Sequence, residues 1–142
     1  MWLLDTMVIS ELRKRIPDSN VLTWLSSVPE KSIFISVVTI SEIQRGITLQ
    51  RNKDMPFAER LQFWLNEMIR NYGDRILPIT PVIACRWGEL SAVAGHDWVD
   101  VVIAATALQH GLSVVTRNER HFSLFSVPVL NPYNDGRSTK NQ

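Results

Sequence analysis

Short apolar runs that each end on a polar residue alternate along this chain with longer segments whose apolar positions follow a helical period. Trp2-Leu3-Leu4 ends at Asp5, so residues 2–5 read as a short buried strand. Val8 to Arg15 reads as a short helix stopped by Pro17, and Asp18 or Ser19 can cap a second helix through Leu25. Ile33 to Ile35 is another buried strand. Ser36 can cap a helix from Val37 to about Gln50, where Val37, Ile40, Ile43 and Ile47 keep helical spacing. After the polar turn Arg51 to Asp54, Pro56 suits a first helical turn, and the stripe Leu61, Trp64, Leu65, Met68 and Ile69 carries that helix to about Asn71.

Gly73 ends the helix, and Arg75-Ile76-Leu77 reads as a third strand. Thr80-Pro81 is a cap and first residue for a helix to about Val93. Gly95-His96-Asp97 restarts the chain, with Asp97 as the expected N-cap of a helix that Gly111 stops after His110. Leu112 to Thr116 is a fourth strand and Val127 to Leu130 a short fifth. From Asn131 the sequence turns polar, so 1–132 reads as one domain and 133–142 as a disordered tail. Strands alternating with helices predict an α/β fold of three layers, α/β/α, around a parallel sheet of four to five strands.

Composition narrows the class. A chain of 142 residues with 45 % hydrophobic and 20 % charged residues suits a single globular domain. The net charge of +1 makes no case for nucleic acid by itself, although 11 of the 15 cations are arginines, which favour bidentate phosphate contacts. The single cysteine, Cys85, excludes an internal disulfide and reads as an inert core thiol. The start meets Asp5 before an apolar signal core can form, and no apolar run approaches the roughly 20 residues of a membrane helix. The cytoplasm is the expected compartment.

Four polar residues stand where such a sheet gathers its ligands, because loops at the carboxyl ends of the strands build the site. Asp5 follows the first strand, Glu42 lies one turn into the helix after the second, Asp100 opens the apolar stretch Val101 to Ala105, and Asn118 follows the fourth strand. Each also has a plainer description. Asp5 suits a helix start, Glu42 a solvated helix face and Asn118 a turn. With Asp97 as N-cap, Asp100 falls at the third helical position, where an acid completes a capping box. Glu42, however, sits beside the apolar stripe and can point toward the sheet edge. A carboxylate opening a helix as apolar as that of Asp100 needs a partner or a metal. Convergent carboxylates without a counter-charge repel one another, and oxygen-only donors suit Mg²⁺ or Mn²⁺. Thr6 and Thr116 can orient carboxylates or water.

These segments also form a familiar order. Leu3-Leu4-Asp5-Thr6 and Val8-Ile9-Ser10-Glu11-Leu12 come first, then Ile35-Ser36 through Glu42-Ile43. Asp100 with Ile103-Ala104-Ala105-Thr106-Ala107, then His110-Gly111-Leu112 and Val115-Thr116-Arg117-Asn118, complete it. The chain resembles the PIN-domain family over about residues 2–132, in the branch of the VapC/FitB toxins of bacterial toxin–antitoxin pairs. The resemblance implies a Mg²⁺- or Mn²⁺-dependent endoribonuclease in which Asp5, Glu42 and Asp100 match the acidic metal ligands and Asn118 a fourth position. It implies homodimers, a VapB-type antitoxin able to occupy the acidic pocket, and operator DNA bound through that antitoxin. Transfer RNA is a common target class of the family.

Two residues depart from the pattern. Met7 replaces the usual Asn, which threatens a hydrogen bond that positions Asp5, and His121 replaces a common Asp before Phe122. They support a second reading, a binding module that keeps the fold and acts through antitoxin contacts without catalysis. A DNA nuclease would share the same acidic signature, since RNA selectivity rests on groove shape and 2′-hydroxyl contacts.

In the nuclease reading Asp5 and Asp100 hold the main ion, Glu42 and Asn118 complete its shell or hold a second, and water attacks phosphorus. Arg117 and Arg120 flank Asn118 and can meet phosphates, whereas Arg13-Lys14-Arg15 reads as a solvated face. Asp97 has a further reading as a metal or substrate contact. Trp24, Trp64 and Trp87 fall on helical stripes and read as core or dimer contacts, leaving Trp98 as the tryptophan available to a base or to an antitoxin.

Overall fold

The fold is taken from a computed structural model that describes residues 1–96 and 98–133. Its strands are β1 (Trp2–Leu4), β2 (Ile33–Ser36), β3 (Ile76–Leu77), β4 (Ser113–Val115) and β5 (Val129–Leu130). They form one parallel sheet in the order β3-β2-β1-β4-β5. The helices are α1 (Thr6–Glu11), α2 (Ser19–Ser27), α3 (Val37–Gln50), α4 (Met55–Tyr72), α5 (Pro81–Ala94) and α6 (Val99–His110).

Side chains alternate across the strands, and this alternation sorts the core into two layers. Leu3 and Val114 join the cluster under α5 and α6, with Val101, Ile103 and Phe122. Their neighbours Leu4 and Val115 point the other way, to Val8, Ile9, Val21, Ile47 and Leu65 of α1 to α4. Both faces of the sheet are therefore covered, which is why its strands read as unbroken apolar runs. Helix α6 is buried from Val101 through Ala107, so it is apolar on every side.

The chain passes outward from β1 to β2 and β3, then returns to place β4 on the other side of β1. The order of the strands reverses between β1 and β4, and the crevice beyond their carboxyl ends is where such sheets bind ligands. Several caps work as their sequences indicate. Ser36 accepts from Val38 N at 3.1 Å, Thr80 from Ile83 N at 3.2 Å, and Gly111 ends α6 in the left-handed region at φ 66°.

The structure departs from the sequence expectations in several places. Helix α1 begins at Thr6, because Asp5 itself caps it, and ends at Glu11 instead of reaching Arg15. Between Leu12 and Pro17 no apolar residue faces the core, since Ile16 is exposed, and Pro17 disfavours helix at Ile16. Glu119 to Phe125 forms a 3-10 segment that brings Phe122 and Phe125 into the core. The N-cap of α6 is Trp98, which places Asp100 at the second helical position; Asp97, the expected cap, lies outside the described residues. Cys85 is exposed, not a core thiol. The buried stripe of α5 runs through Ile83, Trp87, Leu90 and Ala94, and Cys85 is off that line. Tyr133, placed in the tail by its sequence, packs on the core layer of α1 to α4; residues 134–142 lie outside the described residues. Among the described residues no helix is long and apolar enough to cross a membrane.

Candidate active site

Asp5 is the first residue beyond β1, and its backbone is fixed before its side chain is considered. Its N–H donates to Val115 O at 2.9 Å, and its carbonyl accepts from Val8 N at 3.0 Å. One carboxylate oxygen, Oδ1, accepts from Thr6 N at 2.8 Å, and the other, Oδ2, accepts from the Thr116 hydroxyl at 2.8 Å. The Thr116 hydroxyl in turn accepts from Asn118 N at 2.9 Å. One hydroxyl thus joins the ends of β1 and β4. Burial pushes the Asp5 carboxyl above its ordinary value; the bonds from Thr116 and Thr6 oppose that rise, and the nearby carboxylates of Glu42 and Asp100 add to it.

Glu42 reaches the same crevice from α3. Thr6 Oγ1 donates to Glu42 Oε1 at 2.5 Å and lies 3.0 Å from Thr39 Oγ1. Since the carboxylate can only accept, the single Thr6 proton goes to Glu42 and Thr39 donates to Thr6. Asp100, with its side chain 12 % exposed, projects from the first turn of α6, and His121 Nδ1 stands 4.0 Å from its Oδ2. Asn118 donates from Nδ2 to Met7 Sδ at 2.9 Å. Met7 therefore leaves both Asp5 oxygens held and engages Asn118 instead.

Asp5, Glu42, Asp100 and Asn118 all line one cleft of about 560 Å³, together with Thr6, Arg117 and Trp98. Thr116 lies beneath it, fully buried. Arg13 and Lys14, read from sequence as a solvated face, also line the cleft, while Arg45 and Arg120 do not contribute to it. Thr39 escaped the sequence reading; its signal is its position one turn before Glu42 on α3. Glu11 and Tyr133 escaped it too. Glu11 is 4 % exposed, pairs with Lys14 at 2.9 Å and lies beside the Tyr133 phenol. Burial, with the Glu11 carboxylate, pushes the Tyr133 phenol up to about 12. Arg117 lies over the Tyr133 ring at 5.0 Å.

The donor set can be tested against a divalent ion. The groups facing the crevice from Asp5, Glu42, Asp100 and Asn118 offer oxygen donors, which suit a hard cation. The upward push on Asp5 by its two acidic neighbours is what a cation between them would reverse. Among the described residues no three His, Cys, Asp or Glu side chains stand close enough to hold an ion between them. A fit is therefore limited to two carboxylates with the Asn118 amide, and Mg²⁺ is a cation that keeps several waters and takes only one or two carboxylates with substrate phosphate.

A parallel sheet reversing at β1 and β4, with acids from β1, α3 and α6 in the crevice, defines a class of protein. The PIN domain profile matches residues 2–126, and the chain belongs to the PIN-domain family. It is 33 % identical to Toxin FitB of Neisseria gonorrhoeae (strain ATCC 700825 / FA 1090), over 95 % of this chain and 100 % of that protein. It is 31 % identical to VapC ribonuclease Y4jK of Sinorhizobium fredii (strain NBRC 101917 / NGR234), over 94 % of this chain and 98 % of that protein. The crystal structure of FitAcB from Neisseria gonorrhoeae superposes with a TM-score of 0.83 at 31 % identity, covering 94 % of this chain and 99 % of that one. FitAB bound to an IR36 DNA fragment reaches 0.80 at 31 % identity, with 94 % and 96 % covered.

Proposed function

We propose that this PIN-domain protein is a toxin of the VapC/FitB type, an endoribonuclease that hydrolyses RNA phosphodiester bonds with Mg²⁺ or Mn²⁺. One observation carries the reading: an aspartate held at both oxygens, its pKa raised by burial and further by two neighbouring acids, lines a cleft that also presents arginine and lysine. Relatives named as a toxin and as a ribonuclease agree with it.

Asp5 and Asp100 would hold the ion, with Glu42 and Asn118 completing its surroundings. When bound, a divalent ion supplies charge neutralisation at the phosphate and activation of the attacking water. The chain's own groups do the rest. Thr116 and Thr6 hold Asp5 in the orientation and charge state that binding requires, and Thr6 also aims Glu42. Arg13, Lys14 and Arg117, exposed on the same cleft, attract the phosphate backbone and offset the charge of the acids. No nucleophilic side chain takes part.

The same reading supplies the partners. A VapB-type antitoxin neutralises the toxin, operator DNA is bound through the antitoxin, the toxin pairs as a homodimer, and the cytoplasm holds the complex. Transfer RNA is the target class proposed. The deciding experiment is cleavage of purified total tRNA and mRNA by antitoxin-free protein with Mg²⁺ or Mn²⁺. Discrete cuts, abolished by EDTA and by Asp100→Asn, are expected. Cleavage that survives both refutes the assignment.

A further inference from the structure

Trp98 has no structural task that explains its placement. It is 65 % exposed, whereas the other four tryptophans are half-buried, and it lines the acidic cleft. The backbone beneath it is firmly anchored. Trp98 O accepts from Val101 N at 2.9 Å, and α6 continues into seven successive buried residues, Val101 to Ala107. The ring is not alone. The His96 imidazole stacks on it with centroids 4.2 Å apart and planes 34° apart, and His96 Nδ1 accepts from Trp98 N at 3.4 Å. The Trp98 indole therefore stands on the wall of the cleft, two residues from Asp100, with the His96 ring in contact behind it.

We propose that His96 and Trp98 form a stacking platform for one unpaired base beside the scissile phosphate. This rests on the ribonuclease reading above. Unpaired bases stack on aromatic faces, and a preordered platform loses little side-chain freedom on binding. Two residues span at most about 7 Å of chain, so a base can lie on the indole while its own phosphate reaches Asp100. Arg117, on the same cleft, would take the backbone of the adjoining nucleotide. Paired bases are already stacked in their helix and present no free face, which makes duplex RNA a poor occupant. Trp98 is here a positioning residue: it sets which nucleotide is presented and leaves the acids unchanged.

The test uses the full chain with Trp98→Ala, Trp98→Phe and His96→Ala. Fluorescein-labelled single-stranded RNA 12-mers, chosen as those the wild type binds, would be titrated with Ca²⁺ for binding and with Mg²⁺ for cleavage. A series carries one abasic nucleotide at each successive position. Trp98→Ala is expected to weaken binding and raise KM by about 5- to 150-fold, the range of one lost base–aromatic stack, with kcat nearly unchanged. Trp98→Phe recovers most of the loss, and His96→Ala shows a smaller one. One abasic position should reproduce the defect in the wild type and add nothing in Trp98→Ala. Annealing the 12-mer to its complement should remove the dependence on residue 98.

Wild-type affinity and KM in Trp98→Ala overturn the proposal, as do abasic penalties that add fully to the substitution. Loss of affinity only for a co-expressed antitoxin assigns the indole to a protein contact and also overturns it. The Asp100→Asn control separates the two readings. A protein that binds the 12-mer through Trp98 without cutting it keeps the platform and refutes the nuclease; one that cuts without regard to Trp98 does the reverse.

Discussion

Thr116 Oγ1 donates to Asp5 Oδ2 at 2.8 Å across 111 residues of sequence, and it accepts from Asn118 N at 2.9 Å. This hydroxyl sits at the seam where the sheet reverses, and it joins the acid after β1 to the loop after β4. It is also one of the groups holding the Asp5 pKa down against burial. Thr116→Val should raise the Asp5 pKa further and strand the Asn118 amide. Divalent-ion affinity is expected to fall about 10- to 100-fold, as for other groups that orient a metal ligand. Its pH midpoint should move upward. Titration calorimetry with Mn²⁺ across pH reads both, and Thr116→Ser should restore them.

The Asp5 carboxyl has a folded-state pKa above its ordinary 3.8, chiefly through burial. A raised acid contributes stability that is present below its unfolded value and lost as pH rises through the folded one. Burial therefore makes ionising Asp5 cost more in the folded, metal-free protein than in the unfolded chain. Asp5→Asn should raise its melting temperature, and the gap from wild type should grow from acid to neutral pH. Each 1 kcal/mol recovered moves a domain of this length by about 4 °C. Mg²⁺ should stabilise the wild type and leave the variant unmoved. A constant gap across pH would contradict the role given to burial.

Thr6 spends its hydroxyl proton on Glu42 and its backbone N–H on Asp5. Thr6→Val keeps the second bond and removes the first. Cleavage is expected to drop by roughly tenfold or more, with the melting temperature changed little. Thr6→Ser should retain activity. Equal rates for Thr6→Val and wild type would show that Glu42 needs no positioning.

His121 lies 4.0 Å from Asp100 through Nδ1, and its side chain is 55 % exposed. An imidazole there offers that carboxylate a donor and adds no oxygen to the cleft. His121→Asp adds an oxygen donor beside Asp100 and should tighten Mn²⁺ binding several-fold. Titration calorimetry of the two proteins with Mn²⁺ checks this, and equal affinities would leave residue 121 without a part in holding the ion.

Leu4 is fully buried, on the sheet face toward α1 to α4. Leu4→Ala should cost about 2–5 kcal/mol through lost burial and the cavity left behind. The urea midpoint should fall with the slope unchanged. Because Asp5 follows directly, metal affinity should weaken in the same variant.

Much of this fold was legible because local rules and tertiary demands coincide. The apolar runs Trp2-Leu3-Leu4 and Ser113-Val114-Val115 become strands because both faces of the sheet are covered, so neither needs alternation. Ser36 and Thr80 start their helices by accepting nearby backbone N–H groups on their side-chain oxygens, and Gly111 ends its helix through its own left-handed backbone. Asp5 stood out because it directly follows an apolar strand, and Asn118 because it lies in the turn just after one. Cys85 and the true start of α1 were not legible. The first depended on which face of α5 the sheet covers, and the second on a carboxylate acting as both cap and cleft lining.

By itself the sequence determined the alternating elements, the apolar faces and the four polar positions at strand and helix ends, because propensity, capping and periodicity act within a few residues. Only the tertiary structure decided that β4 returns beside β1. That placement sets Thr116 against Asp5, brings Thr39 and Thr6 to Glu42, and turns Arg13 and Lys14 onto the cleft. Those relations join residues far apart in the chain, and they exist only once burying both faces of the sheet has fixed the order of its strands.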